Sequence, residues 1–79
     1  MTSDRSSPLL IFAGNYRQAQ DHARRSNLRR DAWVYVNDTR TLLGRRGAVV
    51  TRVGTWYERP DSIVIERELR RIGAVVADV

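Results

Sequence analysis

Pro8-Leu9-Leu10-Ile11-Phe12-Ala13-Gly14 is a continuous apolar run closed by glycine, and its reading decides the fold. A strand with one wet face alternates apolar and polar residues, whereas an unbroken apolar run needs cover on both faces, as in parallel sheets. The run is therefore expected as a central strand. Asn15 directly after it is an N-cap residue type and predicts a helix from Tyr16 to Ser26. Tyr16, Ala19 and Ala23 lie along one face of that helix, with Arg17, Gln18, Asp21, Arg24 and Arg25 on others. The small alanines permit close packing on a sheet.

Working outward, Ala32-Trp33-Val34-Tyr35-Val36 reads as a second strand stopped by Asn37-Asp38. Asp38 caps a short helical stretch over Thr39 to Leu43, closed by Gly44. Ala48 to Val53 forms a third strand, in which the charge of Arg52 points to an edge position. Gly54 ends it, Thr55 to Pro60 is a loop, and Asp61 or Ser62 caps a last helix with Ile65, Leu69 and Ile72 on one face and Gly73 as its stop. Glu66 stands four residues before Arg70, the favourable order for a helical ion pair, although Ile63-Val64-Ile65 could equally open a strand. Ala74 to Val79 is open between an edge strand, pairing with another subunit, and disorder.

Strand and helix alternate, so each crossover returns the chain to the same end of the sheet. The expected fold is α/β and Rossmann-like: a small three-stranded parallel sheet with flanking helices, in the order 2-1-3 or alternatively 3-2-1. Residues 8–79 form one domain, and the polar, Ser-rich residues 1–7 are expected to be a disordered tail.

A chain of 79 residues buries a small core, and with no cysteine neither a disulfide nor a thiolate metal site reinforces it. Oligomerisation is the remaining aid, through Trp33 and Tyr35 or the apolar C-terminal stretch. No apolar run reaches the length of a membrane span, and the N-terminus lacks a secretory signal, so a cytoplasmic location with no membrane partner is expected. All 14 basic residues are arginine, against 9 acidic ones. Arginine binds phosphate bidentately, but the codon bias of a GC-rich genome produces the same composition, and that explanation weighs more.

Catalytic motifs are missing. The chain has no Gly-x-x-x-x-Gly-Lys, Gly-x-Gly-x-x-Gly or Gly-x-Ser-x-Gly pattern, and with neither lysine nor cysteine it has no Schiff-base or thiol nucleophile. His22 lies mid-helix among polar residues, where a surface role outweighs a general base. No enzyme activity and no cofactor are expected.

Ligands of open parallel sheets bind beyond the C-terminal ends of the strands. Three loops meet there and carry the candidate site: Gly14, Asn15, Tyr16 and Arg17; Asp38 and Arg40; and Thr55, Trp56, Tyr57 and Arg59. Gly14 lets backbone approach a ligand, helix N–H groups and arginines receive an anion, and Trp56 and Tyr57 stack a base or anchor a partner. Ordinary roles compete: strand end for Gly14, helix caps for Asn15 and Asp38, and a plug beneath the loop for Trp56 and Tyr57. Arg24, Arg25, Arg29 and Arg30 are the candidates for contact with nucleic acid.

Leu10-Ile11-Phe12-Ala13-Gly14-Asn15-Tyr16-Arg17-Gln18-Ala19 and Val53-Gly54-Thr55-Trp56-Tyr57-Glu58-Arg59-Pro60-Asp61 resemble small uncharacterised proteins of actinobacterial phages, of the mycobacteriophage type, over about residues 9–73. The resemblance implies a GC-rich phage origin and expression in a bacterial host, in keeping with the arginines, and carries no activity. The functional expectation is a non-enzymatic accessory protein that binds a host or phage macromolecule, a protein sooner than nucleic acid. The alternative is a reduced nucleotide- or phosphate-binding domain.

Overall fold

A computed structural model describes residues 8–79; the tail expected over residues 1–7 lies outside the described residues. Leu10, Ile11, Phe12 and Ala13 have no solvent exposure, so the opening apolar run forms a strand, β1 (Leu9–Ala13), covered on both faces. It is followed by α1 (Tyr16–Arg25), β2 (Trp33–Tyr35), β3 (Val49–Val53), α2 (Ser62–Arg71) and β4 (Val75–Asp78). Single 3-10 turns occupy Arg30–Ala32, Thr39–Leu42 and Trp56–Glu58.

The sheet is parallel throughout, in the order β2-β1-β3-β4. Among the described residues it has four strands, one more than expected, because Val75–Asp78 joins the outer side of β3 in the register Val49↔Val75 to Arg52↔Asp78. The alternative order 3-2-1 is overturned for a physical reason: β1 is buried on both faces, while β2 is three residues long and only half-buried. Arg52 is not on an edge strand. Its guanidinium is accommodated inside the sheet by Asp78 on β4 and by Glu66 on α2, the latter at 2.7 Å. Their hydrogen bonds, that of Asp78 first, hold Arg52 even more firmly protonated than an ordinary arginine. The expected Glu66–Arg70 pair gives way to this bridge, and within α2 the ion pair is Glu68–Arg71.

Crossover direction sorts the helices. From β1 the chain steps to one side to make β2, then steps the other way to make β3 and again β4. Right-handed connections therefore put α1 on one face, and the Thr39–Leu42 turn and α2 on the other. The α2 side holds the larger core, with Leu10, Phe12, Val36, Leu42, Val50, Ile65 and Leu69. On the α1 side Ile11 and Ala13 meet Ala19 and Ala23, with Leu9, Leu28, Trp33, Tyr35 and Val53 at the margin. Burying each large aliphatic or aromatic side chain contributes about 1.5–3 kcal/mol, so most of the stabilisation lies on the α2 side.

The ends of α1 follow from local chemistry. Asn15 caps it, its side chain accepting the Gln18 N–H at 2.9 Å, and Asn27 turns left-handed at φ +58° just beyond its C-terminus. Neither Asp61 nor Ser62 caps α2 through its side chain as expected: Ser62 is the first helical residue, and the Asp61 carboxylate is turned to Arg59.

Candidate functional site

The loops after β1, β2 and β3 do converge, and Arg59 is the reason. Its guanidinium donates to the Ala13 carbonyl at 3.2 Å, the Val36 carbonyl at 2.7 Å and the Asn37 carbonyl at 2.7 Å, and pairs with both Asp61 oxygens at 2.9 Å. It also lies 5.3 Å from the Phe12 ring centroid and 5.6 Å from that of Tyr35. With a side chain only 9% exposed, Arg59 is a clamp across the ends of β1 and β2 and is not available to an incoming anion. A strand end offers carbonyls without partners, and a planar fork of N–H donors answers several of them at once.

The crevice between β1 and β3, where strand order reverses, is occupied by Gln18. Its side-chain oxygen accepts the Gly14 N–H at 2.8 Å and the Thr55 N–H at 3.1 Å, and its Nε2 donates to the Thr55 hydroxyl at 3.0 Å. Gly14 and Gly54 make the room: a Cβ at Gly14 would overlap the Thr55 hydroxyl, and one at Gly54, where φ is +62°, would lie 2.5 Å from the Gln18 oxygen. The close approach expected of Gly14 is thus realised toward a side chain of the same chain. Gln18 was not singled out by sequence, because a polar residue on a wet helix face carries no mark of such a contact. Of the other anion candidates, Arg17 is exposed, and Arg40 is bonded to Asp38, whose carboxylate also accepts the Arg40 N–H at 2.9 Å and so caps the Thr39–Leu42 turn.

Trp56 and Tyr57 have parted roles. Trp56 is half-buried, packs on the larger core with its ring 5.4 Å from Phe12, and has the Arg52 guanidinium 4.3 Å from its centroid. Tyr57 meets it edge-on at 5.6 Å and is 60% exposed. Both line a groove of about 540 Å³ against α2, with Ile63, Glu66, Arg67 and Arg70 opposite. Ile63 is 71% exposed. The α2 wall was missed by sequence; the available signal was Ile63-Val64, apolar residues outside the Ile65–Leu69–Ile72 stripe.

Tyr16 belongs elsewhere. It stacks with Trp33 at 5.9 Å and meets Tyr35 edge-on at 5.6 Å. Tyr16 and Trp33 share a groove of about 230 Å³ with Arg24 and Arg30, while Arg25 and Arg29 are exposed nearby in sequence and Arg29 approaches Asp31 at 3.6 Å.

Among the described residues, no helix is long and apolar enough to cross a membrane. Comparison of the chain with protein-family models, with curated proteins and with solved structures gives no match.

Proposed function

We propose that this chain is a non-enzymatic binding module that takes a segment of another protein in the groove between Trp56-Tyr57 and α2. The observation that carries this reading is the exposure of Tyr57 and Ile63 side by side with Arg67 and Arg70. Exposed aromatic and aliphatic anchors beside arginine are the pattern of a contact surface, and the two arginines favour an acidic, partly apolar segment. With the phage resemblance, the partner is a host or phage protein in a bacterial cytoplasm. Tyr57→Ala and Arg67→Ala are each expected to weaken capture by about 1–3 kcal/mol while shifting the melting temperature little. Affinity capture from host lysate with wild-type and variant protein checks this. Equal capture by all three would refute the groove as the site.

A Rossmann-like nucleotide or phosphate site is the less favoured reading, since Gln18 supplies an oxygen where a phosphate oxygen would sit and Arg59 is bound to carbonyls. Nucleic acid remains a second reading on one observation, the Tyr16–Trp33 stack lying in the same groove as Arg24 and Arg30. On that reading single-stranded oligonucleotides bind with steep salt dependence, and replacing Arg29 and Arg30 by alanine lowers the log–log salt slope by roughly 0.7 per lost phosphate contact. No binding at about 50 mM salt, where such contacts are strong, removes it.

A further inference from the structure

The crossovers leave part of the sheet bare. Among the described residues α1 is the only helix on its face, and its core ends at Val53, while the connections after β2 and β3 cross the opposite face. The register and the two-residue period of a strand then place Val49, Thr51, Val75, Ala77 and Val79 in one uncharged array beside α1. Val75 is 62% and Val79 78% exposed, and every residue of β4 is exposed. Outer strands are commonly blunted by lysine, proline, a bulge or an inward charge. β4 has no lysine or proline, and its one charge, Asp78, is turned to the α2 face and held by Arg52.

The backbone of β4 is half-satisfied. The Val75 N–H donates to Ala48 at 2.8 Å and the Val79 N–H to Arg52 at 3.1 Å, so alternation directs the N–H and C=O groups of Val76 and Asp78 away from β3. We infer that a second copy of this chain occupies this edge, the two β4 strands pairing antiparallel about a two-fold axis normal to the sheet at Ala77. Such an axis keeps both α1 faces on one side. It sets Val76 opposite Asp78 of the second copy, and the reverse, each pair exchanging two N–H···O bonds. Val75 then falls opposite Val79 of the second copy and Ala77 opposite its own equivalent, in the non-hydrogen-bonded positions where side chains approach most closely. A slip of one residue would oppose side chains from different faces, and of the registers that keep the faces the one centred on Ala77 brings the bare Val75 and Val79 together. A second copy fits better than an unrelated strand because it brings the same uncharged valines to the places where valines are bare. The contact belongs to the small class of interfaces, for which concentration-dependent association in the micromolar range is expected.

The chain has no cysteine, so one introduced residue reports on the contact. Opposed Cα atoms at a non-hydrogen-bonded antiparallel position lie about 4.5 Å apart, within disulfide range. At about 100 µM, well above micromolar affinities, the protein is expected to sediment as a dimer that dissociates on dilution. Val76→Pro removes an outward N–H and none that β3 uses, and should weaken the dimer about tenfold or more. Under oxidised glutathione, Ala77→Cys should link into dimers about tenfold faster than Val76→Cys, which has no like residue opposite. A wild-type monomer at that concentration, a dimer unchanged in a folded Val76→Pro protein, or equal linking from positions 76 and 77 would each overturn the inference. Should Val76→Pro fail to fold, Ala77→Arg sets like charges on the axis and must dissociate the dimer in its place.

Discussion

Arg59→Ala is expected to lower stability by about 3–5 kcal/mol, because several carbonyls at the strand ends lose a charged donor at about 1–3 kcal/mol each, while the half-exposed Asp61 adds little. Its loss leaves Asp61 without its partner and the carbonyls of Ala13, Val36 and Asn37 without this donor, where β1 and β2 end. In a domain of this size each kcal/mol moves the melting temperature by about 4–8 °C, so a fall of more than about 12 °C should be seen by circular dichroism. Arg59→Lys should rescue little, because a single ammonium cannot span three carbonyls and a carboxylate in fixed geometry. An unchanged melting temperature for Arg59→Ala would instead assign this residue to the binding surface.

Trp56→Ala should cost about 3 kcal/mol, the lower end for truncating a buried aromatic, because Trp56 keeps part of its surface in water. The change uncovers Phe12 and removes the ring beside Arg52. Tyr57→Ala, one residue away, should cost less than about 1 kcal/mol, since most of its ring is already in solvent. Urea denaturation of the two variants side by side is the measurement. A Trp56→Ala protein with the wild-type midpoint would show that Trp56 serves contact alone, as Tyr57 does.

Local signals were legible in the chain. The run Leu9–Ala13 marked a strand with two buried faces, Asn15 marked the start of α1, and the alanines marked its inner face. Two features depended on partners distant in sequence and left no local mark. Arg52 read as an edge residue because a charge inside a parallel sheet needs compensation, and the compensating Glu66 and Asp78 lie 14 and 26 residues further on. For the same reason Val75–Asp78 stayed ambiguous until its pairing with β3 was visible. At the site, the convergence of the three loops followed from topology. Which polar groups face a ligand and which face one another did not: Arg59 looked like an anion receptor until its carbonyl partners appeared, and Gln18 looked like solvent-facing filler.

The Gln18 amide has an implication for engineering. Two backbone N–H groups, from Gly14 and Thr55, converge on one oxygen between two glycines, which is the geometry of a designed anion receptor already holding a guest tethered to its own helix. Shortening the tether by Gln18→Ala vacates the receptor without touching its walls. A small free amide or carboxylate, acetamide or acetate, then competes for the same donors, and its binding would appear as ligand-dependent recovery of the melting temperature in the variant and not in the parent. In this sheet the occupancy of the two donors is set by one side chain's reach.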